Sequence, residues 1–566
     1  MINFVVPEEY TREGNFTHMG RVHEIKDDEV FSYGTAGFRY NAEKLPFIVY
    51  RCAYVASLRA RQLNCSIGLM ITASHNPMAD NGVKLVDPSG DMLNEQWEKY
   101  ATEIVNATDG EFPAAVRALE KQISVSKTFK SRVVCGIDTR YSGPHLKDAA
   151  LAGARLFNVH FEYIGAVTTP MLHYSVKCHN EPDFAPATRE GYYKSITDAF
   201  KQLYELTTET QHSKYQKTVF LDCANGVGGP RFQEMLQYIP ESMLKIKYRN
   251  AGVTDEERNF LNDGCGADHV KIAQKIPRGF VRNSACEFGY EGHNYESKCA
   301  SFDGDADRLI YFRAKPEVQD DTAELCDGDK IAVLIATYIR EQLKVYEEQQ
   351  PRERLTMGIV QTAYANGSST RYIREQLGIE PIIVPTGVKH LHEAASEFDI
   401  GIYFEANGHG TVVFSEVFHR IIRKNPQTKL ALRRLALFSR VINETVGDAL
   451  ADLLAVEIIL RHKGWSMQNW LDQLYQDVPN VQIKVPVDDR SIFKTTNAEQ
   501  RLLKPDGIQQ LIDEDVAKYK NSRAFIRPSG TENIVRVYAE ADTVENTILL
   551  GKSLEKVVLG LRNGSF

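Results

Sequence analysis

Two observations predict an α/β fold for this chain. Short apolar runs ending in glycine-bearing loops alternate with stretches of helical period, and the composition is that of a globular protein with several cores. The alternation is plainest at residues 131–143 (SRVVCGIDTRYSG), 217–229 (KTVFLDCANGVGG) and 355–370 (LTMGIVQTAYANGSST). Each reads as a strand, a turn and a helix start, a weak structural repeat rather than a repeated sequence. With 566 residues, 43% hydrophobic and 25% charged, the chain has room for about three to four domains. Composition breaks put boundaries near 185, 315 and 455, giving segments 1–185, 186–315, 316–455 and 456–566. The polar stretch 181–213, with Pro182 and Pro186, reads as an added connector, and the helical pattern 544–561 as a packing surface.

Charge and leader signals exclude several classes. The 75 acidic residues outnumber the 67 basic ones, for a net charge of −8, so there is no basic stripe for nucleic acid. The opening MINFVVPEEYTREG carries acids in place of a basic leader, and no run approaches the ~20 apolar residues of a spanning helix. Nine cysteines form no CxxC pair, as in a protein of reduced thiols. The expectation is a cytoplasmic protein with no membrane and no nucleic-acid partner. No G-x-x-x-x-G-K-[ST] run occurs, and GHGTVV after Asn407 lacks the third glycine of a dinucleotide fingerprint, so neither ATP nor NAD is implied. The Asn-x-Ser/Thr sites at Asn15 and Asn366 are idle without secretion.

Four loops carry candidate chemistry. In TASHNP (72–77), directly after the apolar run 66–71, Ser74 stands where a substrate can reach it and its hydroxyl can carry a phosphoryl group; the same residues can equally make a helix cap and an ordinary turn. In SFDGDADR (301–308), Asp303, Asp305 and Asp307 recur at a spacing of two, which turns alternate side chains to one side and lets three carboxylates converge on a hard cation such as magnesium. An EF-hand needs Gly at the sixth and Glu at the twelfth place, and counting from Asp303 these are Arg308 and Ala314. A solvated acidic turn is the remaining alternative. In YFEANGHGTVVF (403–414), Glu405, Asn407 and His409 stand two apart, with Gly408 and Gly410 flanking His409; a carboxylate beside an amide can bind vicinal sugar hydroxyls. In RPSGTENIVRVY (527–538), Arg527, the donors of Ser529, Gly530 and Thr531, and Arg536 suit a phosphate monoester.

Taken in this order, the motifs resemble the α-D-phosphohexomutase superfamily and, within it, the eukaryotic phosphoacetylglucosamine mutases. The resemblance covers nearly the whole chain: GTAGFR (34–39), ITASHNP (71–77), DNGVKLVDPSG (80–90), DGDADR (303–308), CDGDK (326–330), PTGVKHLH (385–392), FEANGHGT (404–411), VGDALADLL (446–454) and RPSGTE (527–532). It implies three phosphohexomutase-type α/β domains and a smaller C-terminal α+β domain around a central cleft. These carry the phosphoserine, metal, sugar and phosphate loops in turn. It implies an enzyme, an isomerase that works as an intramolecular phosphotransferase, with a small-molecule phosphosugar as partner and a monomeric state.

The site implied by the resemblance follows. Phospho-Ser74 and Asp303, Asp305 and Asp307 hold one Mg²⁺, a set whose charges leave about −3. Arg39, Lys84 and Arg308 offset this excess and stabilise the transferring group. A hexosamine 1,6-bisphosphate forms, turns while bound and returns its other phosphate to Ser74. Glu405 grips the 3- and 4-hydroxyls, with Asn407, Gly408 and His409 beside it, while Arg527, Ser529, Gly530, Thr531 and Arg536 hold the idle phosphate. His75 either takes a proton or orients its loop. Lys389, with Gly387 and Val388, either meets the substrate or is solvated. Related hexose mutases carry Ser in place of Asn407, so its amide points to an N-acetyl group. The expected role is supply of UDP-N-acetylglucosamine synthesis.

Overall fold

The computed structural model describes residues 5–123, 131–157, 159–207, 212–280, 297–315, 321–350, 353–424, 429–529 and 533–562. The chain divides into two compact units, Met1–Asp327 with Leu437–Met467, and Gly328–Ala436 with Gln468–Phe566. The α/β expectation is met in both, and the three strand-turn-helix stretches fold as read.

The first unit holds two five-stranded sheets. In one, β1 (Phe38–Asn41), β2 (Ser66–Ile71), β3 (Asp80–Val86), β4 (Arg132–Ile137) and β5 (His160–Ala166) lie in the order β1-β3-β2-β4-β5. In the other, β6 (Thr218–Asp222), β7 (Lys245–Arg249), β8 (Cys299–Phe302), β9 (Leu309–Ala314) and β10 (Ala323–Cys326) lie in the order β10-β9-β8-β6-β7. β2 pairs parallel with β4 and antiparallel with β3; β8 pairs parallel with β6 and antiparallel with β9. Strands β2 and β8 are buried at every residue, as expected of central strands that are mostly apolar, and the buried Ser301 hydroxyl of β8 is satisfied by Asp222. The helix Leu45–Leu63 covers the first sheet and packs on the helix Gly143–Arg155. Their backbones approach so closely that a Cβ on Gly153 would lie 2.1 Å from the Tyr50 carbonyl oxygen, which only glycine avoids.

The second unit repeats the pattern once. β11 (Met357–Thr362), β12 (Ile382–Val384), β13 (Ile400–Phe404) and β14 (Gly410–Phe414) order as β12-β11-β13-β14, with β13 parallel to β11 and antiparallel to β14. Its α+β part is the sheet β15-β19-β18, from β15 (Asn480–Pro486), β18 (Arg523–Pro528) and β19 (Ile534–Glu540), with a hairpin of β16 (Lys494–Thr496) and β17 (Arg501–Lys504). The last helix, Val544–Arg562, buries Leu550, Leu554 and Val558 with Val485, Val535 and Val537 of that sheet, as the packing-surface reading expects.

The connector reading of 181–213 needs correction. The stretch contains the helix Arg189–Glu205, capped by Thr188 and burying Tyr192, Tyr193, Ile196, Phe200 and Leu203. Those residues recur at three and four, a helical stripe that polar neighbours masked in the sequence. Tyr192 donates to Asp448 Oδ2 at 2.7 Å, and Asp448 caps the helix Ala449–Lys463 through the N–H groups of Leu450 and Ala451. The eight described cysteines are unbridged. Among the described residues, no helix is long and apolar enough to cross a membrane.

Candidate active site

All four motif loops occupy the same kind of place: each joins two antiparallel strands, β2 to β3, β8 to β9, β13 to β14 and β18 to β19. In the first three, the strand entering the loop is also bonded in parallel on its other side. A loop at the end of such a strand is aimed by a rigid sheet.

In the first loop Ser74 sits at φ +48°, a left-handed conformation that costs a side chain energy. Its N–H donates to Thr72 Oγ1 at 3.0 Å, and that hydroxyl donates to Asp138 Oδ2 at 2.8 Å. The Ser74 carbonyl accepts from Arg140 Nη2 and from Asn262 Nδ2, both at 2.9 Å. Arg140, fully buried, also donates to the carbonyls of Asn76, Pro77 and Asp80 and pairs with Asp138 at 2.9 Å. The loop is thereby fixed from within, and the Ser74 hydroxyl donates to Asp303 Oδ2 at 2.6 Å.

The second loop brings Asp303, Asp305 and Asp307 together, with one carboxylate oxygen of each within 4.8 Å of the others. Asp303 accepts from the N–H groups of Asp307 (3.0 Å) and Arg308 (3.2 Å), and Asp305 Oδ2 accepts from Thr169 Oγ1 (2.7 Å). Asp305 Oδ1 is buried with no hydrogen-bond partner. Burial first, then Asp307 and Asp305, raise the Asp303 carboxyl well above its usual range. Such a cluster is costly by itself, and an all-oxygen donor set with one open buried oxygen fits a hard divalent cation. A solvated acidic turn is excluded because Asp303 and Asp305 have no exposed surface.

Basic groups surround the triad. Lys84 Nζ lies 4.0 Å from Asp307, and Arg308 Nε lies 3.8 Å from both Asp303 and Asp307 while Nη1 donates to Asp268. Arg39, on β1, donates to Asn76 Oδ1 at 3.3 Å. His75 Nδ1 is 3.4 Å from Ser74 Oγ, and its Nε2 is 3.7 Å from Asp268. Burial, with Arg308 next, pushes its imidazole down to about 3, so the ring is neutral near pH 7. Ser74, His75, Arg39, Lys84, Arg308 and the three aspartates thus form one cluster.

The second unit holds the residues of the sugar and phosphate motifs. Glu405 N–H donates to the His409 carbonyl (2.8 Å) and Gly408 N–H to the Glu405 carbonyl (2.9 Å), with Gly408 at φ +91°. Asn407 Oδ1 accepts from His409 N–H at 3.0 Å, so that oxygen is committed to the turn, while Nδ2 faces Glu405 Oε2 at 3.5 Å. A Cβ on Gly328, in the CDGDK motif, would lie 1.9 Å from the Glu405 carbonyl oxygen. Gly387, at φ +135°, opens the helix Val388–Ala395, with Val388 and Lys389 on its first turn. Arg527 and Arg536 are directly opposed on β18 and β19, and Ser529 N–H donates to the Ile534 carbonyl at 2.9 Å. Gly530 and Thr531 lie outside the described residues.

Sequence reasoning missed Arg140, Asn262, Thr169 and Asp268. Arg140 stands in the 131–143 stretch, read only as a strand and a turn. The other three have no local signature, because topology alone carries them to the loops.

Fold and site together define the class: a phosphohexomutase, an isomerase that relocates a phosphoryl group within one sugar. Family models match domain III of phosphoacetylglucosamine mutase at 327–465 and its domain II at 183–310. Models of phosphoglucomutase/phosphomannomutase match at 50–112 and 113–185 (α/β/α domain I) and at 483–548 (C-terminal domain). Phosphoacetylglucosamine mutase of Sus scrofa is 42% identical over 548 residues, covering 96% of each chain. A crystal structure of an N-acetylglucosamine-phosphate mutase in its substrate complex superposes with a TM-score of 0.87 at 42% identity, covering 94% of this chain and 97% of that one. The Aspergillus fumigatus enzyme with GlcNAc-6P and magnesium gives 0.85 at 41% identity, covering 95% and 97%. A serine-to-alanine variant of it with glucose 1,6-bisphosphate gives 0.84 at 40%, covering 96% and 97%. The chain belongs to the phosphoacetylglucosamine mutase family.

Proposed function

We propose that the enzyme interconverts N-acetylglucosamine 6-phosphate and N-acetylglucosamine 1-phosphate through phospho-Ser74 and a bound 1,6-bisphosphate, in the four domains 1–185, 186–315, 316–455 and 456–566. The observation that carries this reading is the Ser74 hydroxyl against Asp303, inside a cluster of three buried carboxylates and three cations. The 1- and 6-oxygens of the sugar are too far apart for direct transfer, so the enzyme keeps its own phosphoryl store on Ser74. The sugar's 1-hydroxyl attacks the phosphorus of phospho-Ser74 as the Ser74 Oγ–P bond breaks, and the hydroxyl proton passes to the leaving Ser74 oxygen, with neutral His75, 3.4 Å from Oγ, placed to relay it. The bisphosphate then turns end for end, and Ser74 takes the phosphoryl from the 6-oxygen, returning that proton to it by the same route.

Asp303, Asp305 and Asp307, together with a phosphate oxygen on Ser74, would hold Mg²⁺, which when bound neutralises charge on the transferring group. Arg39, Lys84 and Arg308 supply the remaining positive charge. Glu405 would grip the 3- and 4-hydroxyls, common to both orientations. Asn407 Nδ2 would meet the N-acetyl carbonyl, with Gly408 and His409 shaping the turn. Lys389 and the Gly387–Val388 backbone would approach the sugar, while Arg527, Ser529, Gly530, Thr531 and Arg536 hold the idle phosphate. We place this chemistry in the cytoplasm, in a monomer that supplies UDP-N-acetylglucosamine synthesis and binds neither membrane nor nucleic acid. Intact mass with fragment mapping tests the reading: a phosphate on Ser74, lost on incubation with the 6-phosphate and restored by the bisphosphate, is expected. Turnover with an unlabelled Ser74 overturns it.

A further inference from the structure

One carboxylate in the second unit touches two binding loops. Glu499 lies in the turn 497–500 between β16 and β17, where Asn497, Ala498 and Glu499 all take positive φ, at +51°, +50° and +68°. Three consecutive left-handed residues without a glycine are a costly run. Glu499 is held at both oxygens. Oε2 accepts the N–H of Thr386 at 2.9 Å, and Oε1 lies 3.1 Å from Arg527 Nε. Both members of the ion pair are well covered, at 17% and 12% exposed, so the pair is less screened than one on the surface.

An acid beside an arginine that must hold a phosphate works against the ligand by charge alone. Its place therefore calls for a compensating gain. Arg527 Nε makes no hydrogen bond among the described residues, so the carboxylate acts on the guanidinium by charge at 3.1 Å, holding it in place for the phosphate at its terminal nitrogens rather than setting its plane. The Arg527 guanidinium also lies over the Tyr364 ring, 5.8 Å from its centroid. Thr386 immediately precedes Gly387, which opens the helix Val388–Ala395. The same carboxylate thus sets the distance between the start of that helix and Arg527.

We propose that Glu499 is a positioning residue for substrate phosphate: it holds Arg527 in place by charge and ties it to the Thr386 backbone. The proposal rests on the reading of Arg527 as the anchor of the idle phosphate. That anchor is gripped in ground and transition states alike, so loosening it raises KM and spares kcat.

Glu499→Gln keeps the size and an acceptor for Thr386 N–H but removes the charge facing Arg527. Steady-state rates on N-acetylglucosamine 6-phosphate should show KM raised about tenfold, the scale of a charge-assisted contact, with kcat within about twofold. Glu499→Asp, one methylene too short to span both partners, should move KM in the same direction. Arg527→Lys raises KM by itself, and adding Glu499→Gln to it should raise KM no further. A role in folding alone would lower the melting temperature of both variants and leave KM in place, which overturns the proposal. A fall in KM, marking Glu499 as a competitor of the phosphate, overturns it too, as does a full second rise in the Arg527→Lys background. A wild-type enzyme that turns over normally beside an unaffected Glu499→Gln rejects this inference only, whereas a wild-type enzyme that fails to isomerise the sugar rejects the function beneath it.

Discussion

At Ser74 a backbone angle decides what the side chain can do. Its φ of +48° turns the hydroxyl toward Asp303, and Arg140 and Asn262 hold that angle through the Ser74 carbonyl. Ser74→Ala is expected to lower kcat by at least about 10⁴-fold with the melting temperature nearly unchanged, checked by a coupled assay and a thermal scan. Asn407 has one free role, since its Oδ1 is committed to His409 N–H. Asn407→Ser should narrow the ratio of kcat/KM between N-acetylglucosamine 6-phosphate and glucose 6-phosphate by about tenfold or less, the worth of one hydrogen bond. An unchanged ratio removes Asn407 from specificity. Residues inside the motifs were legible because their chemistry and spacing are local, as with the aspartates two apart. Asn262 and Asp268 were not, because a lone Asn or Asp announces nothing until the fold sets it against Ser74 or Arg308.

Among elements, the hairpin is the shared device. A run such as 66–71 could be read as a strand, yet the sequence does not say that the next strand returns antiparallel, since the loop lacks a standard two-residue hairpin signal. The helix Arg189–Glu205 was hidden for a different reason: its polar flanks outweighed the apolar stripe. Tyr192→Phe would leave the buried Asp448 carboxylate short of a donor and should cost about 1–3 kcal/mol in urea unfolding, with kcat unchanged. Gly304 carries the contact between the first two loops, where a Cβ would lie 2.5 Å from the Ser74 carbonyl oxygen. Gly304→Ala must push the aspartate loop away from Ser74, and kcat should fall about 100-fold, the cost of roughly 1 Å of misplacement.

For the whole molecule, buried titratable groups set opposed pH trends. Asp303 keeps its proton to a higher pH when folded than when unfolded, so the metal-free protein loses stability as pH rises from the unfolded carboxyl value of about 4. His173, buried with Nδ1 on the Gly90 carbonyl, is pushed down to about 3, mainly by burial. The unfolded chain alone takes up that proton, so stability also falls as pH drops below about 6.5. Magnesium removes the first penalty, because it requires the carboxylates charged. The gain in melting temperature from Mg²⁺ over EDTA should therefore grow from about pH 5.5 to about pH 8; a flat difference would separate the metal from the triad.

The chain leaves its first unit at Asp327 and comes back at Leu437 to deliver the segment ending at Met467. That segment carries Glu457, which pairs with buried Lys298 at 2.5 Å and accepts from Tyr311 at 2.9 Å. On the ribosome, the early part of this core must wait, with Lys298 lacking its counter-ion, while 328–436 is made, a delay of about 5–20 s at ~5–20 residues per second. Nascent chains halted before residue 437 should engage holding chaperones through the first unit, and that engagement should be lost once 437–467 has emerged, leaving only contacts to the still incomplete second unit.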